Sequence, residues 1–138
     1  MDYEAFTQNL MAELRANAGQ VSSGPMAGRP LMILTTTGAR SGEERSAIIT
    51  YTRDGDGFVI AATASGSPKN PDWYYNLRAN PEAVVEAGGE KFRARARFAE
   101  GPERDRLYEQ HAAERPEFRD YPNMVTRVIP VITLEKVA

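Results

Sequence analysis

The sequence contains no cysteine and a single histidine, His111. Without cysteine there is no disulfide framework, thiolate zinc site, iron–sulfur cluster or cysteine nucleophile. One imidazole cannot supply the two or three of a usual catalytic zinc site, so no metal site is expected. His111 would be the only imidazole base for a serine triad, and no G-x-S-x-G motif accompanies it. Long apolar runs are also missing. Stretches such as Phe58-Val59-Ile60-Ala61-Ala62 fall far short of the ~20 residues of a membrane span. The opening Met1-Asp2-Tyr3-Glu4 lacks the basic-then-apolar layout of a secretory signal, so a cytoplasmic location is expected. A net charge of -2 argues against general nucleic-acid binding. An enzyme so short of catalytic side chains would leave the hard chemistry to a bound cofactor.

What is present fits one globular domain over residues 1–138, with 41% apolar and 26% charged residues. The charge is uneven. Residues 29–97 carry ten basic and eight acidic side chains, whereas the flanking segments are each net acidic. An anionic ligand would therefore favour the middle of the chain.

Residues 1–17 read as an amphipathic helix, with Phe6, Leu10 and Leu14 at i, i+4, i+8 and Tyr3 and Met11 beside them. Its polar face is acidic, which favours packing on the barrel or on a partner subunit over membrane-surface association. Residues 18–30 are rich in Gly, Ser and Pro and read as a loop. Residues 31–135 then alternate strand patterns with tight turns. Strands are expected at Leu31–Thr37, Arg45–Thr52, Phe58–Ala64, Glu82–Ala87, Glu90–Ala99 and Val128–Leu134, where Pro130 marks an edge or bulge. Helices are expected at Asp72–Ala79, with Asp72 or Asn70 near its N-cap, and from Gly101-Pro102 to about Arg115. Strands joined by short turns are antiparallel. The fold class is thus mainly β with peripheral helices, a small antiparallel barrel of about six strands.

Four segments could carry chemistry. Thr35-Thr36-Thr37-Gly38-Ala39-Arg40-Ser41-Gly42-Glu43-Glu44-Arg45-Ser46 combines freed backbone, hydroxyls and two arginines, the makings of an anion nest or of a plain hairpin. Ser65–Asn76 sets Lys69 and Trp73-Tyr74-Tyr75 beside a glycine-bearing loop, with Trp73 and Leu77 spaced to face the core. The Arg93, Arg95, Arg97 row fits a solvated, ion-paired face better than a polyanion grip. The loop Arg115–Tyr121 offers Phe118 and Tyr121 as substrate contacts, and His111 just before it reads as structural.

Taken together, Leu31 to Arg45, the Asp54-Gly-Asp-Gly turn, Lys69-Asn-Pro-x-Trp-Tyr-x-Asn-Leu77, Asn80-Pro81 and Arg127-x-Ile-Pro-Val resemble the deazaflavin-dependent nitroreductase family. The resemblance implies a split β-barrel that binds coenzyme F420, a deazaflavin with a phosphate and an oligoglutamate tail. It implies that Ala39, Arg40 and Ser41, with Arg45, Ser46, Ala47, Ile48, Ile49 and Thr50, hold the phosphate and neighbouring tail. It implies that Ala61, Ala62, Thr63 and Ala64 line the ring, and that Asp72, Trp73, Tyr74, Tyr75 and Asn76 complete the cleft. Lys69 joins this cofactor-binding set from the cationic middle of the chain. Positions that carry tyrosine in nitro-reducing relatives are Arg115 and Phe118 here, and Tyr121 keeps the phenol. The expected activity is hydride transfer from the reduced deazaflavin to an electron-poor quinone, enone or nitroaromatic, with Thr63 or Tyr121 supplying a proton or hydrogen bond. The alternatives are an FMN-dependent split-barrel reductase, a non-catalytic module for a cofactor or hydrophobic ligand, and a protein-interaction domain. A homodimer is compatible with all of them.

Overall fold

The fold comes from a computed structural model that describes residues 3–22, 24 and 26–137. In chain order it contains α1 (Tyr3–Ala16), β1 (Leu31–Thr37), β2 (Glu44–Thr50), β3 (Thr52–Asp54), β4 (Gly57–Ala61), α2 (Asp72–Ala79), β5 (Glu82–Ala87), β6 (Glu90–Phe98), α3 (Gly101–Glu114), α4 (Tyr121–Met124) and β7 (Val131–Lys136). Short 3-10 turns lie at Ala64–Gly66 and Pro116–Arg119.

The seven strands form one antiparallel sheet in the order β2-β1-β5-β6-β7-β4-β3. β2 and β3 are separated only by Tyr51, yet they lie at opposite edges of that sheet. The sheet must therefore curl until its two edges meet at Tyr51, the closure of a split barrel. β3 begins at Thr52, paired with Val59, while Ile60 and Ala61 of β4 run on beyond it and pair only with β7. From this meeting point β2 and the end of β4 diverge as two arms of an open wedge.

Alternation decides the two faces. Met32 and Leu34 of β1, Ile60 of β4, Ala94 and Ala96 of β6, and Ile132 and Leu134 of β7 fill the inside, with Phe92 and Phe98 packed against them. The outer face is covered twice. Under α1, Leu10, Met11 and Leu14 pack on Leu31 and Ile33. Burying such a side chain stabilises by about 1.5–3 kcal/mol. Under α3, Leu107, Tyr108 and Ala112 pack on Val59, Ala61 and Val131. Phe6, expected in the buried stripe of α1, is instead 38% exposed. It lies a turn beyond the sheet contacts of Leu10. The side chain of Tyr3 falls outside the described residues.

Three expectations need correction. The strand expected over Arg45–Thr52 breaks at Tyr51, because the chain there passes from one sheet edge to the other. The strand expected to reach Ala64 stops at Ala61, because Ala64 and Ser65 adopt positive φ. The N-cap of α2 is Pro71, flanked by Asn70 and Asp72 as expected, in extended conformation with no side-chain bond to the helix. Pro130 does not mark an edge. β7 is internal, lying between β6 and β4, and Pro130 stands just before it, where its missing N–H costs no ladder bond. Its carbonyl accepts from the Ala62 amide at 2.9 Å.

Candidate functional site

An open cleft of about 870 Å³ lies between the β1–β2 hairpin and α2. On the hairpin side it is lined by Ala39, Arg40, Ser41, Arg45, Ser46 and Ala47, and on the helix side by Asp72, Trp73, Tyr75 and Asn76. Sequence reasoning placed all ten among the cofactor-binding residues. Thr36 and Gly38 also line it. They belong to the same Thr35–Ser46 segment, although the resemblance does not single them out. For Thr36 the available signal was strand alternation, which turns it inward with Met32 and Leu34.

Register explains which atoms the cleft can use. Gly38 N donates to Glu43 O at 2.7 Å, and Tyr51 N donates to Pro30 O at 3.0 Å. Between these two bonds the hydrogen-bonded pairs of β1 and β2 are Thr36–Arg45, Leu34–Ala47 and Met32–Ile49. The N–H and C=O groups of Ser46, Ile48 and Thr50 therefore point to the unpaired edge of β2. Their side chains lie on the outer face: Ile48 packs under α1, and Thr50 Oγ1 accepts from Arg29 Nη2 at 3.4 Å. Ile49 is buried in the barrel core. Of the segment Arg45 to Thr50, Ile48 and Thr50 thus offer the wedge backbone rather than side chains.

The turn is shaped for a close backbone approach. A Cβ on Gly38 would stand 2.5 Å from Ser41 Oγ, so any larger residue would push the hydroxyl away. Ser41 Oγ in turn accepts from Glu43 N at 3.2 Å. Asn76 ties this turn to α2. Its Oδ1 accepts from Ala39 N at 2.9 Å, and its Nδ2 donates to Thr36 Oγ1 at 3.0 Å. Arg45 pairs with Glu43 at 3.1 Å, whereas Arg40 is exposed and meets no carboxylate among the described residues. One end of the cleft therefore carries an uncompensated guanidinium beside a half-compensated one.

The remaining residues of the expected site lie elsewhere. Ala61 belongs to the outer core under α3 and Ala62 to the inner core. Thr63 is buried, and its hydroxyl meets no partner among the described residues. Ala64, Ser65 and Gly66 follow with φ of 47°, 53° and 84°. A left-handed conformation costs a residue with a Cβ roughly 1–2 kcal/mol. Lys69 is exposed in the loop before α2. Tyr74 packs edge-on against Phe98, 5.9 Å between centroids, and so faces the barrel core.

Phe118, expected to contact substrate, is buried under α3 instead. It meets the His111 ring edge-on at 4.4 Å, and its carbonyl accepts from Tyr108 OH at 2.7 Å. Burial pushes the Tyr108 phenol up to about 12. Tyr121 is half-buried against Phe118 at 5.3 Å. His111 is fully buried, with Nδ1 at 2.7 Å from Thr52 Oγ1 and Nε2 unpartnered. Desolvation lowers its pKa to about 4, so the ring is neutral and structural at neutral pH. The arginine row is a solvated face: Arg97 binds Glu103 through two contacts of 2.6 and 2.9 Å, and Arg95 lies 3.9 Å from Glu82. Among the described residues no group of three or more acidic or histidine side chains could hold a metal ion. No helix there is long and apolar enough to cross a membrane.

Comparison with known proteins bears on both fold and chemistry. Residues 7–136 match the family model for F420H(2)-dependent quinone reductase. An F420H(2)-dependent quinone reductase of Mycobacterium tuberculosis is 35% identical over 112 residues, 78% of this chain and 74% of that protein. A solved F420-H2 dependent reductase superposes with a TM-score of 0.71 at 33% identity, covering 78% of this chain and 95% of its own. A structure described as a domain-swapped dimer gives a TM-score of 0.73 at 28% identity, covering 97% of this chain and 98% of its own. The split barrel and the deazaflavin resemblance carried by the Thr-Thr-Thr-Gly and Asn-Pro-x-Trp-Tyr blocks agree with these matches. The chain belongs to the F420H(2)-dependent quinone reductase family, a family of oxidoreductases.

Proposed function

We propose that this chain binds coenzyme F420 in the cleft and reduces an electron-poor acceptor, a quinone in the first instance and an enone or nitroaromatic by the same chemistry. The observation that carries the reading is the pairing of Arg40 and Arg45 at one end of a cleft whose side is an open strand edge. The donor set fits the cofactor. Two guanidiniums and the freed backbone of Gly38–Ser41 suit a phosphate and carboxylate tail. The outward N–H and C=O groups of Ser46, Ile48 and Thr50 suit the alternating donors and acceptors of a flat heterocycle, and Trp73 adds an aromatic wall.

The reduced deazaflavin supplies a hydride. The chain's own part is orientation and exclusion of water from the wedge. A quinone that accepts a hydride also takes up one proton to become the hydroquinone. Thr63 and Tyr121 are the proposed hydrogen-bond or proton sources on the far arm of the wedge, alongside water. The name of the M. tuberculosis relative supports quinone as acceptor, and the domain-swapped neighbour supports a homodimer.

The test is a side-by-side fluorescence titration with F420 and FMN. It is followed by loss of reduced-deazaflavin absorbance against a quinone, an enone and a nitroaromatic. The reading expects F420 to bind more tightly than FMN and the quinone to be turned over. Preference for FMN, binding without turnover, or no binding of either cofactor would each replace it.

A further inference from the structure

Arg127 lies between α4 and β7, outside the cationic end of the cleft, and is half-buried. A guanidinium has five N–H donors. Here they meet five contacts: Nε to Ser67 O at 3.3 Å, Nη1 to Ala62 O at 3.0 Å and Asn70 Oδ1 at 2.6 Å, and Nη2 to Thr63 O at 3.0 Å and Ser67 O at 3.1 Å. None of the five is a carboxylate. Every partner belongs to one segment, the chain between the end of β4 and the start of α2.

That segment holds the most strained backbone near the wedge. Ala64, Ser65 and Gly66 are left-handed in succession, and two of them carry a Cβ. Two backbone bonds brace the turn from within, Gly66 N to Thr63 O and Ser67 N to Ala64 O, both 3.0 Å. Strain of this kind persists only where the surroundings over-determine it. A planar, saturated fork gripping carbonyls on both sides of the turn provides that, and an ammonium could not reproduce the geometry.

We propose that Arg127 is a positioning residue for the ring end of the cofactor site. It fixes the carbonyls of Ala62, Thr63 and Ser67 so that the left-handed turn stands as the wall opposite β2, and it acts through that wall rather than on the cofactor. The inference rests on the F420 reading above.

The test uses three probes on the full chain: intact F420, its deazaflavin ring on ribitol without the phosphate tail, and inorganic phosphate. Binding of the first two is followed by fluorescence, and of the third by amide NMR shifts at Ala39–Ser41. In Arg127→Lys the ring fragment and intact F420 should each lose roughly tenfold or more in affinity, while the phosphate titration stays unchanged. Exchange of the Gly66 and Ser67 amides should accelerate, with the β1 and β5 amides unaffected. Asn70→Ala, which removes one of the five contacts, should move the same readouts in the same direction by less. Retained ring affinity in Arg127→Lys overturns the proposal. So does joint loss of ring and phosphate binding with general loss of protection, which is the signature of a merely structural arginine. If Arg127→Lys does not fold, unchanged ring affinity in Asn70→Ala overturns it equally. Failure of the wild-type chain to bind intact F420 or the ring fragment would instead remove the functional reading beneath it.

Discussion

Asn76 Oδ1 accepts the Ala39 backbone N–H at 2.9 Å, joining α2 to the turn that faces the cleft across 37 residues of sequence. The amide is buried, and its Nδ2 is committed to Thr36 Oγ1. Both ends of one side chain therefore set the spacing of the two cleft walls.

Replacing Asn76 by Ala should leave the Ala39 amide and the Thr36 hydroxyl short of a partner, at a cost of roughly 1–3 kcal/mol for the buried groups. Asn76→Asp keeps an acceptor for Ala39 N but loses the donor to Thr36 and adds negative charge beside the Gly38–Ser41 turn. Urea denaturation should rank Asn76→Asp as no less stable than Asn76→Ala at pH 7. F420 titration should rank it as the weaker binder. The reverse order in the titration would mean that charge at this turn does not meet the cofactor.

The two arginines of the turn invite a charge test. Arg40→Gln with Arg45→Gln should weaken F420 by roughly 2–5 kcal/mol if each makes a charge-assisted contact. Affinity in the double variant should also lose most of its dependence on salt, because screening acts on exposed charge pairs. The ring fragment, which has no phosphate, should bind wild type and variant alike. Equal affinity for intact F420 before and after substitution would show that the tail lies elsewhere.

Much of this was legible in the sequence because it is local. The Phe92, Ala94, Ala96, Phe98 alternation fixes the inner face of β6, and the two-residue turns at Gly55-Asp56 and Gly88-Gly89 fix two hairpins. The cationic turn and the aromatic start of α2 were visible as motifs, and the fold brings them to one cleft. What stayed hidden depends on distant partners. Nothing near Arg127 announces that it grips carbonyls 57 to 65 residues away. Phe118 sits in a proline-flanked loop whose polarity points to solvent, but the gap under α3 needs an aromatic ring. The break at Tyr51 follows from closure of the barrel, which no window of residues around it encodes.

Gly19 offers a test of how α1 is seated. It has φ of +83°, and a Cβ there would stand 2.7 Å from Gly88 N in the β5–β6 turn. The obstacle is backbone, so it cannot swing aside. Gly19→Ala should cost roughly 2–5 kcal/mol, combining the left-handed penalty with the overlap. Gly28→Ala, also at positive φ but with nothing within 4 Å of its Cβ, should cost only the conformational part. Chemical denaturation of both variants checks this. Equal losses would mean that α1 can shift off the hairpin without penalty.

His111 sets an acid limit on the fold. Its folded pKa of about 4 lies below the ordinary 6.5, with desolvation as the main cause. The ring is most economically placed with Nδ1–H donating to Thr52 Oγ1, which leaves Nε2 as a bare acceptor in apolar surroundings. Protonation would bury a second N–H and a charge without a partner. Between the two pKa values the unfolded chain binds a proton that the folded chain does not. Stability from this residue is therefore complete above about pH 6.5 and is lost as pH falls toward 4, on the order of 3 kcal/mol in total. Roughly 1 kcal/mol of that should disappear between pH 7.5 and 5.5. The shifted carboxylates Asp54, Glu86, Glu90, Glu103 and Glu117 all have lowered pKa values, so they titrate below that interval. Urea midpoints measured at both pH values should fall for the wild type and stay level for His111→Phe, whose lost bond to Thr52 is a constant offset. A His111→Phe variant that kept the wild-type slope would assign the acid sensitivity to another group.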